Sequence, residues 1–277
     1  KRDFDSYGAQ MDASLRQKLD DLLPWIVPGL IVDKGCGTGK LLVELSRLHP
    51  KSALIGVDLS REFLRRCDEN TYASTDVDFL QGDAADAQIE PGRATTVIFS
   101  SIMHEIYSYS DYSIPRLEQA VRSAYAELGP GGRILIRDGI SPPPAMWRMQ
   151  FLDGATATQF DRFAVEFAHG RGCKFERLDA TTVRLSSHDA NEFLCKKDYL
   201  KNWHIEIHEE FGARTLAEWR ELLATVGFAV KAAREYVSDW IRDHRYVGTV
   251  ALFDDAGAPI DWPATNAVVV GEKERAS

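Results

Sequence analysis

Short apolar runs alternate with amphipathic stretches between residues 31 and 138. This alternation predicts an α/β fold, in which helices cover a mostly parallel sheet. A helical period over 114–128 ends at Gly129-Pro130-Gly131-Gly132, which predicts a turn into the next strand. The strands predicted in this part of the chain lie at 30–33, 53–58, 77–81, 95–101 and 133–138.

Other patterns flank this alternation. Residues 6–27 carry apolar side chains at helical spacing, which predicts an N-terminal helix. The break at Ser141-Pro142-Pro143-Pro144 opens an aromatic-rich insertion, predicted as a mainly helical cap, that extends to Phe211. From Thr215 a helix leads to further strands, at 228–232, 247–253 and 267–271. The predicted divisions are an N-terminal helical cap (1–28), a core (29–140), the insertion (141–211) and a segment that completes the core sheet (212–277).

The first predicted strand runs directly into a glycine-rich turn, Asp33-Lys34-Gly35-Cys36-Gly37-Thr38-Gly39. Glycine adopts positive φ and lets a ligand lie against the main chain, and the next helix points its amide groups at that ligand. A dinucleotide site would need Gly-x-Gly-x-x-Gly, and Asp33 would repel a pyrophosphate, so a nicotinamide dehydrogenase is disfavoured. The acid suits a nucleotide-like ligand with a cationic end.

At these residues the chain resembles the class I S-adenosylmethionine-dependent methyltransferases, whose first motif is an acid followed by Gly-x-Gly-x-Gly. The resemblance covers 31–138 and, more weakly, 215–273. It implies a doubly wound, mostly parallel seven-stranded sheet with the last strand inserted beside the fifth, S-adenosylmethionine as cofactor and S-adenosylhomocysteine as product. Lys34 departs from the family pattern, and could pair with Asp33 or with another nearby acid.

Further candidates follow the ends of successive strands, where open α/β sheets collect ligands. Asp58 ends the second strand and can accept both ribose hydroxyls, although a helix N-cap is an alternative role. By resemblance, Asp83 accepts the adenine amine, and the main chain at Ser100 and Ser101 helps to hold the methionine ammonium. Tyr7, on an N-terminal helix over the mouth of the site, closes over the cofactor or lies on the surface. The predicted cofactor-binding residues are Tyr7, Asp33, Gly35, Cys36, Gly37, Gly39, Asp58, Leu59, Gly82, Asp83, Ala84, Ser100 and Ser101.

The candidate catalytic residues are His104, Glu105 and Asp138. His104 lies just past the fourth strand, where it could act as general base for a hydroxyl acceptor or pack against the cofactor. Glu105 could orient the imidazole or bind the acceptor. Asp138 ends the fifth strand and faces the same cleft, with a turn acid before Gly139 as the alternative.

No metal site is predicted. His204 and His208 would share one face of a helix, but no third ligand follows at a diagnostic spacing. This stretch is interpreted instead as a solvated or pocket-lining helix.

Composition narrows the function further. A net charge of −9 makes a nucleic-acid partner unfavourable, and the absence of an apolar run of about 18 residues argues against a membrane span. Four widely spaced cysteines indicate reduced thiols and a cytoplasmic protein.

The predicted function is methyl transfer to a small-molecule acceptor, with O-, N- and C-methylation left open. The aromatic residues of the insertion would line the acceptor pocket or form a separate core. The alternatives are a methyltransferase for RNA or protein, and a cofactor-binding domain of a longer protein without transfer activity. A homodimer is compatible with the sequence.

Overall fold

A seven-stranded sheet forms the centre of the chain in a computed structural model that describes residues 15–275. The strands are β1 (Leu30–Lys34), β2 (Ala53–Asp58), β3 (Val77–Gln81), β4 (Ala94–Ser100), β5 (Leu128–Asp138), β6 (Met146–Phe151), β7 (Phe175–Arg177), β8 (Thr182–Ser186), β9 (Phe228–Tyr236), β10 (Val250–Asp254) and β11 (Asn266–Lys273). The central sheet has the order β3-β2-β1-β4-β5-β11-β9, in which β1 to β5 pair in parallel and β11 runs antiparallel to both β5 and β9.

This order confirms the predicted doubly wound sheet, including the last strand beside the fifth. The central strands are apolar on both faces because helices cover both sides of the sheet, as the burial of Ile31 and Val32 in β1 shows. The strand order reverses between β1 and β4, which places a crevice at their carboxyl ends.

The helices follow the sequence signals at their ends. Ser60 caps the helix that follows β2, and Thr215 forms a capping box with Glu218. Gly227, in the left-handed region, ends that later helix as predicted. The helices are α1 (Leu15–Leu22), α2 (Lys40–Leu48), α3 (Arg61–Asp68), α4 (Met103–Ser108), α5 (Ile114–Glu127), α6 (Gly154–Gly170), α7 (Ser187–Lys196), α8 (Trp203–Glu206), α9 (Leu216–Val226) and α10 (Asp239–Ile241), with a 3-10 turn at Leu23–Trp25 and a π-helical turn at Arg242–Tyr246.

The turn predicted at Gly129-Pro130-Gly131-Gly132 is wrong, because these residues belong to β5. They form an irregularity in its pairing with β4, where the register shifts between Ala94 and Thr96. A Cβ on Gly129 would lie 2.7 Å from the carbonyl oxygen of Gly92. Glycine is therefore needed here for close backbone approach, which the sequence alone does not distinguish from a turn.

The prediction of a mainly helical insertion is incomplete, because the insertion also contributes strands to a second sheet. Strands β6, β7 and β8 of the insertion join β10 in an antiparallel sheet of order β10-β6-β8-β7. Helices α6 and α7 contribute Phe160, Phe163 and Phe193 to a separate apolar core beside this sheet. The aromatic residues therefore serve chiefly as this core.

The prediction that 247–253 joins the core sheet is wrong. Strand β10 pairs with β6, where Val250 faces Phe151. A two-residue period identifies a strand but does not select its partner.

Helix α1 is fixed to the core sheet through a buried charge cluster. Asp21 accepts hydrogen bonds from Arg137 of β5 at 3.0 Å and from the Tyr236 hydroxyl of β9 at 2.5 Å, and it also pairs with Arg234. Within residues 15–275, every helix is too short or too polar to cross a bilayer.

Candidate active site

The glycine-rich turn after β1 opens into a cavity of about 350 Å³, here called the glycine-loop cavity. Gly35 and Gly37 line it with φ of 75° and 52°, in the left-handed region that favours glycine. A Cβ on Gly35 would lie 2.5 Å from Cγ1 of Ile102, so the turn leaves no room for a side chain at that position. Among residues 15–275, those that line the cavity all belong to the core, from Gly35 to Arg116.

Asp58 lies at the end of β2 and lines this cavity, as its predicted role requires. Its carboxylate accepts hydrogen bonds from the amide of Gly37 at 2.9 Å and from the amide of Ser60 at 2.8 Å. Asp58 therefore orders the glycine turn as well as facing the cavity. Leu59, beside it, is 65% exposed and lines the same space.

Asp83 and Ala84 line the far side of the glycine-loop cavity. The Asp83 carboxylate accepts hydrogen bonds from Arg116 at 2.6 Å and from the amide of Ala85 at 2.9 Å. Arg116 was not among the predicted site residues; it comes from α5 and also donates a hydrogen bond to Asp86 at 2.8 Å. An adenine amine at Asp83 would therefore share the carboxylate with an arginine.

Several predicted cofactor residues are not among those that line the glycine-loop cavity. Asp33, Cys36 and Ser100 line a smaller space of about 30 Å³ together with Lys18 and Thr38. Gly39 is the N-cap residue of α2, with φ 75°, and a Cβ there would lie 2.8 Å from the Tyr72 hydroxyl. A Cβ on Gly82 would lie 3.0 Å from Nε2 of Gln88. Tyr7 lies outside the described residues.

Lys34 does not pair with Asp33. Its ammonium is fully buried and donates hydrogen bonds to Glu127 at 2.9 Å and to the carbonyl of Asp86 at 2.9 Å, and it also binds Gln88. Successive residues of a strand point to opposite faces of the sheet. Lys34 therefore points toward α5, while Asp33 points to the other face. The departure from the family motif is thus a packing feature away from the cavity.

A second space, here called the histidine cavity, has a volume of about 180 Å³ and lies between the core and the insertion. Ser101 lines both cavities, so they meet at the end of β4. Ser101 also has a φ of 59°, a strained conformation for a residue other than glycine. Tyr199, Phe211 and Tyr246 supply aromatic wall to the histidine cavity.

His104 and Asp138 meet in this cavity, although they are 34 residues apart. Nδ1 of His104 lies 2.6 Å from Oδ1 of Asp138, and the other carboxylate oxygen accepts the amide of Met103 at 2.6 Å. Burial alone would raise the pKa of Asp138, but the charge and hydrogen bond of His104 lower it below its usual value. Asp138 therefore fixes the imidazole and leaves Nε2 facing the cavity.

Carboxylates of the insertion approach His104 from the opposite side. Oε2 of Glu209 lies 3.6 Å from Nε2 of His104, and Oε1 accepts the Tyr109 hydroxyl at 2.5 Å. Burial disfavours the imidazolium, but Asp138 and Glu209 outweigh it and raise the pKa of His104 well above its usual value. Burial, reinforced by the charge of Glu209, raises the pKa of Glu206 to about 8.

The structure thus brings together all three predicted catalytic residues, since Glu105 lines the glycine-loop cavity beside His104. Sequence reasoning missed Glu206, Glu209, Arg245 and Lys18, which also line the histidine cavity. The only signal was the pocket-lining interpretation of the stretch around His204 and His208.

The histidine pair in that stretch does not form a shared helical face. Helix α8 ends at Glu206, so His208 lies beyond it and stacks on His169 with ring centroids 4.1 Å apart.

The chain is similar in sequence to known proteins. Residues 31–132 match the family model described as a methyltransferase domain. A demethylmenaquinone methyltransferase of Thermus thermophilus is 30% identical over 142 residues, which are 50% of this chain and 59% of that protein. A carboxy-S-adenosyl-L-methionine synthase of Trichodesmium erythraeum is 24% identical over 81% of this chain and 73% of that protein.

Solved structures share the fold. An S-adenosylmethionine-dependent methyltransferase from Mesorhizobium loti superposes with a TM-score of 0.52 at 17% identity, covering 94% of this chain and 96% of that one. The strand order and the glycine turn are those of the class I, Rossmann-like methyltransferase fold, and residues 31–132 within this fold match a methyltransferase domain. S-adenosylmethionine is the cofactor of that class.

Proposed function

We propose that the protein transfers a methyl group from S-adenosylmethionine to a small-molecule acceptor held in the histidine cavity. The observation that carries this proposal is the meeting of two cavities at Ser101, one built on the glycine turn and one on His104 and Asp138. A methyl donor in the first cavity would face an acceptor in the second.

The residues of the glycine-loop cavity fit the cofactor. Gly35 and Gly37 line the cavity with backbone in the left-handed region, and Asp58 offers carboxylate oxygens beside them for ribose hydroxyls. Leu59 and Phe63 add apolar surface for a base. Asp33 and Ser100 line the adjoining small space, where the ammonium of the methionine part would find a carboxylate.

When bound, S-adenosylmethionine supplies a methyl group on a sulfonium, and transfer leaves S-adenosylhomocysteine with a neutral thioether. The chain supplies alignment and exclusion of water. Asp138 holds His104 at 2.6 Å, so that Nε2 is the imidazole atom presented to the acceptor. The insertion closes the opposite side through Phe211 and Glu209, both of which line the cavity.

Size and charge favour a small acceptor over RNA. The histidine cavity holds about 180 Å³, and its walls include the buried acids Asp138, Glu206 and Glu209. A phosphate backbone would be repelled by these carboxylates. The name of the Thermus thermophilus relative also refers to a small molecule, demethylmenaquinone.

Calorimetry with S-adenosylhomocysteine tests the cofactor half of the proposal. The variant Gly35→Ala should weaken binding at least tenfold, since its Cβ would clash with Ile102 and strain the turn. Gly92→Ala is the matched control, because Gly92 has a similar φ of 77°, no atom within 4 Å of a new Cβ and no place in the cavity. The control should bind within twofold of the parent protein.

Transfer itself is tested with S-adenosylmethionine labelled on the methyl group and, in separate reactions, pooled small-molecule extracts, RNA or protein as acceptor. Label should enter a small organic product with the parent protein and fail to do so with Gly35→Ala. If the parent binds cofactor but labels only RNA or protein, the small-molecule acceptor is wrong. If it binds no cofactor, the whole proposal fails.

A further inference from the structure

We propose that His104, Glu105 and Glu209 bind a divalent metal ion at the junction of the two cavities, with Glu206 as a further ligand. The three residues each offer one ligand atom, and these atoms lie within 4.8 Å of one another. The role of the ion in catalysis rests on the proposed function, while its binding can be measured without any acceptor.

The spacing of the nearest pair suits coordination. Nε2 of His104 and Oε2 of Glu209 are 3.6 Å apart. Two ligands that are each about 2.0–2.2 Å from a tetrahedral ion lie roughly 3.3–3.6 Å from each other. The two atoms therefore need little movement to share an ion.

Asp138 prepares the histidine for this role. Metal-binding imidazoles usually donate their second ring N–H to a carboxylate, which fixes the tautomer and the orientation of the ring. Here Nδ1 faces Oδ1 of Asp138 at 2.6 Å, and Asp138 is held in turn by the amides of Met103 and Gly139 at 2.6 and 2.7 Å. The arrangement leaves Nε2 directed at Glu209.

A second observation, independent of the cluster, is the environment of Glu206. This residue is 4% exposed and lines the histidine cavity, yet its carboxylate accepts no hydrogen bond from any residue between 15 and 275. A buried carboxylate without a partner is costly. A cation in the cavity would satisfy it.

Within residues 15–275, two cations near the cavity contact other side chains. Lys196 is fully buried against Glu192, and Arg245 stacks on Tyr199 with its guanidinium 4.9 Å from the ring centroid. Lys18 lines the cavity as well as the small space around Asp33. The carboxylates of Glu105, Asp138, Glu206 and Glu209 all lie near the imidazole of His104.

The ligand set indicates which ions to expect. One imidazole with two or three carboxylates suits Zn²⁺, Mn²⁺ or Fe²⁺ better than Ca²⁺, which prefers six to eight oxygens. An ion at this junction would polarise an acceptor oxygen and hold it toward the cofactor.

The test uses chelator-treated protein titrated with MnCl₂ or ZnCl₂ in a calorimeter, with Mn²⁺ binding also followed by electron paramagnetic resonance. One ion per chain is expected. Glu209→Gln and Glu105→Gln should each weaken binding at least tenfold, and Glu206→Gln should weaken it severalfold. Glu210→Gln is the matched control, since Glu210 is the next residue, is also buried, and pairs with Arg171 and His188 instead.

Thermal melts and S-adenosylhomocysteine binding show whether each variant is folded, and they separate this inference from the proposed function. Intact cofactor binding with no saturable Mn²⁺ or Zn²⁺ binding overturns the metal site alone. Equal ion affinity in the parent protein and Glu209→Gln overturns it as well, and leaves His104 as an imidazolium between two carboxylates. Loss of cofactor binding in the parent would instead count against the proposed function.

Discussion

Asp33 illustrates how one buried side chain can link the cofactor turn to pH. It is 2% exposed, and burial raises its pKa to about 7, an effect reinforced by Asp58 and opposed by Lys18. The native state therefore keeps Asp33 protonated at pH values where the unfolded chain has lost that proton. Its contribution to stability is full below about pH 4 and is lost as the pH rises to about 7.

Replacing Asp33 by Asn, which resembles the protonated acid, should remove this pH dependence. The stability of Asp33→Asn relative to the parent protein should rise by about 3 kcal/mol between pH 4.5 and pH 8. Urea unfolding at both pH values measures the difference. Asp78→Asn, at an exposed position on β3, is the control and should show a flat difference. If the stability difference between Asp33→Asn and the parent is also independent of pH, the pKa of Asp33 is not raised in the native state.

At the same scale, Asp58 and Asp83 show what a residue's position in sequence leaves open. Both were predicted from their places at strand ends, and both line the glycine-loop cavity. Their partners were not predicted. Arg116 reaches Asp83 from 33 residues further along the chain, and such a contact depends on how α5 packs on the sheet.

At the scale of elements, periodicity and end signals predicted most of the core. Strands β2 and β3 have the predicted bounds, and α9 ends at Gly227 as expected. The local pattern predicted the wrong structure where a turn and an irregular strand have the same amino-acid composition. The glycines near Pro130 resemble a turn but lie within β5, because they permit close contact with Gly92.

The contribution of buried charges to the docking of helix α1 on the core sheet can be tested at Asp21. Asp21 is 2% exposed and receives Arg137, Arg234 and Tyr236 together. Removing the carboxylate leaves a buried guanidinium uncompensated, so Asp21→Ala should lower the free energy of unfolding by about 3–5 kcal/mol.

The neighbouring Asp20 is exposed, and Asp20→Ala should stay within about 0.5 kcal/mol of the parent protein. Urea unfolding of both variants measures the difference. A loss below 1 kcal/mol for Asp21→Ala would mean that α1 is held by apolar packing rather than by this cluster.

At the scale of the whole molecule, the core sheet and the insertion have separate apolar cores. The insertion packs Phe160 against Phe151, Phe175 and Phe193, with no residue of the glycine-loop cavity in that cluster. Cofactor binding should therefore depend on the folding of the core sheet and its helices. The histidine cavity should depend on both the core and the insertion, because residues of both line it.

The variant Phe160→Ala tests this separation. The lost packing should cost about 3–5 kcal/mol and speed hydrogen exchange in β8 more than in β1, while S-adenosylhomocysteine affinity stays within twofold. Val165→Ala on the same helix is the control, since Val165 is 71% exposed. Phe160→Leu serves if the alanine variant does not fold. If Phe160→Ala lowers the cofactor affinity as strongly as it lowers hydrogen-exchange protection in β8, the core and the insertion are not independent.

The sequence by itself determined the core sheet, the glycine turn and the acids at the strand ends, because each depends on local pattern or on one strand's position relative to the next. Only the tertiary structure decided that β10 joins the insertion, that Lys34 pairs with Glu127, and that Glu206 and Glu209 face His104. These contacts join residues about 90 to 105 positions apart. Their energy depends on which surfaces become buried together, and periodicity carries no information about that choice.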